Sequence, residues 1–272
     1  MAEVLKAIVF GVIQGITEWF PISSTGHLIL LEEIMPLQSS KAFLDAFFVL
    51  VQLSSILSVV ILYFHKIWPF GRDQSVSQKR DIWRLWFRIF IAALPAGIVG
   101  ILFDDTINMY LYNSMVVAVA LVAFGVLFLV LEKRQRQLVV TKIEALSNQK
   151  AWMIGMFQML ALIPGTSRSG ATIFGAMILG CSRTVASEFS FVLAIPVMAG
   201  ASLLKLVKTG FAFTPMEWAA LMAGCLSSFL VSAVAVRSLL TYVRKRGFQV
   251  FGYYRIALGL AIIVYFWMLR ST

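Results

Sequence analysis

Two stretches decide how this chain folds. They are Gln14-Gly-Ile-Thr-Glu18-Trp-Phe-Pro21-Ile-Ser23-Ser24-Thr25-Gly-His27 and Pro164-Gly-Thr-Ser167-Arg168-Ser169-Gly-Ala-Thr172. Each sits inside an otherwise apolar region, 4–31 and 151–180. A continuous lipid-facing helix cannot hold a polar centre broken by Pro and Gly. Irregular backbone at membrane depth persists only where protein or a water-filled cavity surrounds it. Both stretches therefore read as broken, re-entrant helical hairpins.

Around them lie six longer apolar segments: 46–64, 89–103, 106–131, 189–204, 218–236 and 247–269. A hydrocarbon core of about 30 Å needs roughly 20 apolar residues per helix, and these segments meet or approach that. The expected fold is all-α and polytopic: six spanning helices plus two broken hairpins. Composition agrees. Of 272 residues, 60% are hydrophobic and 13% charged, against roughly 45–50% and 25% in soluble domains. Mean hydropathy is +0.88. A water-soluble globule and a disordered chain are both excluded.

Formal charge is +10, from 23 Lys and Arg against 13 Asp and Glu. The basic residues collect in 65–88, 133–150 and 237–246, while Asp104–Asp105 is acidic and 205–217 only weakly basic. That pattern reads as membrane topology rather than nucleic-acid binding. The three basic segments are expected on the cytoplasmic side and the other two outside. Cys181 and Cys225 lie in apolar sequence, with no metal or disulfide spacing. The N-terminus lacks a typical cleavage pattern, so we expect it to be retained.

The halves resemble each other. Gly11 and Gln14 match Gly155 and Gln158 at an offset of 144, and Pro21 and Ser24 match Pro164 and Ser167 at 143. A near-constant offset across half the chain points to an internal repeat. With the charge pattern it predicts an inverted-topology repeat whose functional site lies where the broken elements meet. The chain is expected to be a single membrane domain, 1–272. Its halves would be about 1–133 and 151–272, joined by a cytoplasmic linker over about 134–150.

Polar groups at membrane depth are costly and mark function. Gln14 and Glu18 are four apart, hence on one helix face. The Ser23-Ser24-Thr25-Gly-His27 turn adds hydroxyls, free backbone N–H groups and an imidazole. The second stretch adds an always-charged guanidinium beside a Ser- and Thr-rich helix start, which suits phosphate. One carboxylate, one His, one Arg and several hydroxyls fit phosphoryl transfer on a lipid-borne phosphate. Arg168 would neutralise phosphate oxygens, a Ser or His would attack or position water, and Glu18 would act as base or help hold a divalent cation.

Gln14-x-x-x-Glu18, the Pro-x-Ser-Ser-Thr-Gly-His27 run, Pro164-Gly-x-Ser167-Arg168-Ser169-x-x-Thr172 and Ala186-Ser-Glu188-Phe-Ser-Phe resemble the signatures of the undecaprenyl-diphosphate phosphatase family. These are bacterial enzymes associated with bacitracin resistance. The resemblance implies a hydrolase that converts the C55 isoprenyl diphosphate to the monophosphate, recycling the lipid carrier for peptidoglycan and other wall polymers. It implies a multi-pass protein of the bacterial inner membrane with an extracytoplasmic site. It also implies a divalent cation, Mg2+ or Ca2+. Residue by residue, it implies catalytic roles for Glu18, Ser24, His27 and Arg168. Ser23, Thr25, Ser167, Arg168, Ser169 and Thr172 would bind phosphate, and Glu18 with Gln14 would hold metal. Gln14 stands where the family has Glu or Gln. The nucleophile, Ser24, His27 or water, stays open, as does a homodimer.

Plainer roles stand beside these. Ser23, Thr25 and Ser169 would serve equally as helix caps. Glu188 either complements a helix dipole or joins the site. Gln52 either lines the cavity or bonds a neighbouring helix. Arg255 is expected to snorkel or pair at a membrane face, and His65 to be uninvolved. A polyprenyl-phosphate flippase is the competing class, because inverted repeats with broken helices are transporter architecture. A pure carrier needs a cationic pocket but no acid–base pair. A two-histidine phosphatase scheme is short of a histidine.

Overall fold

The computed structural model describes residues 1–133, 138–209 and 213–271. The described residues form helices, with one isolated bridge between Val140 and Cys181. In chain order these are α1 (Ala2–Thr17), α2 (Ser24–Ile34), α3 (Lys41–Leu62), α4 (Phe64–Ile67), α5 (Val76–Leu111) and α6 (Ser114–Lys133). Then follow α7 (Asn148–Gln158), α8 (Arg168–Ile178), α9 (Arg183–Thr209), α10 (Pro215–Arg246) and α11 (Gln249–Ser271). Six of them, α3, α5, α6, α9, α10 and α11, contain stretches long and apolar enough to cross a bilayer. The chain is a multi-pass membrane protein. The shorter α1–α2 and α7–α8 pair into two hairpins, broken at the two stretches that the sequence singled out.

Two expectations need correction. The acidic turn anticipated at Asp104–Asp105 lies inside a helix. α5 continues to Leu111, with non-helical φ/ψ only at Phe103 (φ −121°, ψ 16°). The turn comes at Tyr112–Asn113, where Asn113 Oδ1 caps α6 through the Val116 N–H (3.0 Å). Two helical stretches join across the kink at Phe103, where the apolar span ends. The second correction concerns repeat register at the hairpin turns. Ser23 and Ser167 each cap the helix that follows, accepting from Gly26 N–H and Gly170 N–H respectively. Both adopt φ 71°. They are equivalent, and their offset is 144, not 143. Pro21 and Pro164 misled the alignment, because they sit one residue apart in the two turns. Of the 134–150 linker, residues 134–137 lie outside the described residues.

Each half thus contributes a hairpin followed by three long helices, and the packing repeats as well. α1 lies along α10, and α7 lies along α5. At the first seam a Cβ on Gly11 would come within 2.2 Å of the Gly224 carbonyl oxygen. At the second, a Cβ on Gly155 would come within 2.5 Å of the Ala92 carbonyl oxygen. Lipid tails are as apolar as Leu, so helices in membranes associate by close backbone approach rather than by the hydrophobic effect. The end of α3 meets the start of α9 through Lys66 and Glu188 (3.1 Å). Gly125 of α6 packs on Gly252 of α11, and Ala118 on Gly259. The arrangement is compatible with re-entrant hairpins and an inverted repeat. The main core sits between the hairpins, where Trp19 meets Phe191 edge-on at 5.3 Å.

Gly155→Val is expected to destabilise the protein by about 2 kcal/mol, because the clash is with backbone that cannot rotate away. Thermal unfolding in detergent measures it. Gly200→Ala is the control: nothing lies within 4 Å of a Cβ there, so its midpoint should hold or rise slightly.

Candidate active site

α1 delivers Gln14 and Glu18 on one face and stops at Glu18, whose backbone N–H still bonds Gln14 O. The chain crosses Trp19–Ile22 and enters α2 at Ser23. In the other half α7 passes into a 3-10 turn, Met159–Leu162, and reverses at Gly165 (φ 92°) before Ser167 caps α8. Ser23 and Ser167 are the non-glycine residues with positive φ among the described residues. For a side chain with a Cβ that conformation is strained, and such strain gathers at functional sites. Here it turns the starts of two eleven-residue helices toward one another.

The turns meet at a buried ion pair. Arg168 Nη2 donates to Glu18 Oε1 at 3.2 Å, with side-chain exposures of 11% and 4%. Glu18 Oε2 accepts from Gln14 Nε2 (3.0 Å), Ser24 Oγ (2.9 Å) and Gln52 Nε2 (3.4 Å). Arg168 Nη1 donates to the Ser190 carbonyl at 2.9 Å, and its guanidinium lies 5.8 Å from the Trp19 ring. Arg168 Nε, Trp19 Nε1 and Thr166 Oγ1 are buried without a hydrogen-bond partner. Buried polar groups in native proteins are normally satisfied. Unpaired donors beside a guanidinium are what a bound oxyanion would complete.

The remaining expected residues fall in two groups. Ser24, Thr25, Ser167 and Arg168 are partly exposed at the helix starts. Ser23, Ser169 and Thr172 are buried and hold the turns together. Ser169 Oγ donates to Glu18 O (3.1 Å), and Thr172 Oγ1 bonds Arg168 O (2.9 Å) and Ser190 Oγ (2.7 Å). Gln52 belongs to the site through Glu18. Glu188 does not: it pairs with Lys66 beyond the far end of α3, where His65 also lies.

On α11, Tyr254 escaped the sequence reading and Arg255 plays a different part from the expected one. His27 Nδ1 faces the Ser23 carbonyl at 2.7 Å. A carbonyl only accepts, so Nδ1 carries the proton, and in the neutral ring Nε2 accepts from the Tyr254 hydroxyl at 2.6 Å. Arg255 corrects an expectation. It does not snorkel or pair at a membrane face but is fully buried. It donates to Pro21 O (3.0 Å), Gly165 O and Thr166 O (both 2.9 Å). One side chain therefore ties both hairpin turns. The sequence offered a signal, an Arg inside a spanning segment, but gave no way to see its partners.

The Glu18 carboxylate is engaged by hydrogen-bond donors on both oxygens, and Gln14 presents its amide N–H to it. Among the described residues no cluster of three or more His, Cys, Asp or Glu side chains could hold a metal ion.

Fold and site together define an integral membrane protein with a buried acid–guanidinium–hydroxyl centre suited to a phosphate. The chain belongs to the family described as bacitracin resistance protein BacA, whose model matches residues 7–261. It is 48% identical over 269 residues to undecaprenyl-diphosphatase 1 of Clostridioides difficile (strain 630), covering 99% of this chain and 98% of that one. It is 50% identical over 270 residues to undecaprenyl-diphosphatase of Lachnoclostridium phytofermentans, covering 98% of each. Against the undecaprenyl-diphosphatase of Enterococcus faecalis (strain V583) identity is 47% over 272 residues, again covering 98% of each.

Arg255→Met should cost about 3 kcal/mol or more, because it strands several buried carbonyls. Arg255→Lys, with a single nitrogen, should recover only part of that. Unfolding midpoints of the two variants in detergent read the difference. Equal midpoints in Met, Lys and the parent would remove the clamp.

Proposed function

We propose that this chain hydrolyses undecaprenyl diphosphate to undecaprenyl phosphate and inorganic phosphate, the activity for which its relatives are named. One observation carries the mechanism. A single carboxylate, Glu18, accepts from the Ser24 hydroxyl on one oxygen and from Arg168 on the other. Arg168 and the N–H groups that start α2 and α8 take the terminal phosphate, trading the Glu18 contact for its oxygens. Ser24 Oγ attacks that phosphorus as its proton passes to Glu18. The bond to the bridging oxygen breaks, and the lipid monophosphate leaves. Water then attacks the phosphoserine, and phosphate departs. The Tyr254 hydroxyl holds His27 oriented beside the turn while this happens.

The substrate keeps its prenyl chain in lipid. The basic segments support a bacterial inner-membrane topology with the site opening on the extracytoplasmic face. The divalent cation expected from the family has no side-chain cluster at Glu18, and no step here runs through it. The two broken hairpins favour a flippase as the second reading. The Ser24–Glu18 pair weighs against it, since carriage alone needs no nucleophile held on a base.

Purified protein in detergent, given C55 diphosphate, should release phosphate. Glu18→Gln should slow release by about 10²-fold or more. Arg168→Ala should abolish it with expression unchanged. Normal turnover in both variants would end this reading. Transport of C55 phosphate without phosphate release would favour the flippase.

A further inference from the structure

A cavity of about 420 Å³ lies away from the hairpin turns, between the end of α3, the start of α5 and the first turns of α9. α9 is the wall between the two places. Ser190 reaches Arg168 and Thr172, while Glu188 and Val192 line the cavity. Residues two apart on a helix point to nearly opposite sides. The floor is apolar, from Ile82, Leu85 and Val192, all buried.

Buried polar side-chain atoms without a partner gather at this cavity as they do at the hairpin site. Tyr63 Oη, Gln74 Oε1 and Arg88 Nε are three of the seven such atoms among the described residues, and all three residues line it. Tyr63 is 6% exposed. Burial, with the Glu188 carboxylate nearby, pushes its phenol up, so it remains a donor. The lining holds acceptors and donors of both charges. Glu188, Glu144, Asp73 and Asp81 stand against Lys66 and Arg88. The excess of carboxylates disfavours a purely anionic guest. Arg88 and the Tyr63 hydroxyl disfavour a purely cationic one.

The surroundings set the depth. Phe64, Trp68, Phe70 and Trp83 are all exposed and run ring to ring, at 5.4, 5.3 and 6.0 Å. Gln74 ties this ladder to the cavity by donating to Trp68 O at 3.0 Å. Exposed Trp at the ends of spanning helices, here Trp68 and Trp83, marks the level of lipid headgroups.

We propose that this cavity is a headgroup site for an aminophospholipid. The phosphate sits against Arg88 and the Tyr63 hydroxyl, and the primary ammonium against Glu188 and Glu144. A quaternary ammonium has no N–H to give these carboxylates, and the cavity offers no aromatic cage to replace that. The site therefore selects ethanolamine over choline. It is separate from the phosphatase reading and does not rest on it.

Native mass spectrometry of the full-length protein, delipidated in detergent and offered equal phosphatidylethanolamine, its N-methyl derivatives, phosphatidylcholine and phosphatidylglycerol, tests it. The expected result is retention of phosphatidylethanolamine about tenfold over phosphatidylcholine and phosphatidylglycerol, the worth of one charge-assisted hydrogen bond. Retention should fall stepwise with methylation. Glu188→Gln and Arg88→Gln should flatten the series at an unchanged unfolding midpoint. The methylation series on the unaltered protein decides the matter even where a variant folds poorly. Equal retention of all four lipids, or a preference untouched by both variants, overturns the proposal. So does displacement of the lipid by equimolar free phosphoethanolamine, which would make this a site for a soluble ligand.

Discussion

A guanidinium bonded to backbone carbonyls from two different hairpins holds this protein's working parts together. Breaking a helix inside an apolar bundle frees carbonyls that have no water to turn to. Arg255 meets Pro21, Gly165 and Thr166 at once. Moving a charge of this kind into a low-dielectric interior is expensive unless hydrogen bonds compensate it. The broken turns supply acceptors, and the buried cation supplies donors, so each removes the other's cost. The same contact fixes the distance between the halves, and with it the meeting of Glu18 and Arg168.

Equivalent positions in the two halves do different chemistry. Once Ser23 and Ser167 are set as counterparts, Ser24 falls opposite Arg168, and Glu18 opposite Leu162. The first helical residue after each strained cap is thus a hydroxyl in one half and a guanidinium in the other. The frame supplies two helix starts aimed at one point. In the proposed mechanism the side chains divide the work, base and hydroxyl from one turn and anion binder from the other. The contacts that keep the frame rigid lie elsewhere, at seams such as Gly11 on Gly224 and Gly155 on Ala92.

Much of this was legible in the residues. Pro, Gly and Ser clusters inside apolar sequence can only be broken helices, and the six apolar runs became the six long helices. Glu18, Ser24 and Arg168 stood out because carboxylates, guanidinium groups and hydroxyls are rare and costly at that depth. The misreadings have physical causes. Asp104 and Asp105 follow a kink at Phe103 rather than a turn, and the chain reverses only at Tyr112–Asn113. The two prolines occupy different places in otherwise equivalent turns, which hid the true register. Gln52 and Ser190 look like ordinary polar residues in apolar helices until their partners are known.

The sequence by itself determined the helical class, the number of long apolar helices, the two interruptions and the residue types able to handle a phosphate, because burial cost and helix propensity act on local composition. Only the tertiary structure decided that Tyr254 caps His27, that Arg255 ties the turns rather than reaching a membrane face, and that Glu188 belongs to a separate cavity. Those facts depend on residues scores of positions apart being brought within 3 Å or so. No local pattern encodes that distance; it follows from how the helices pack.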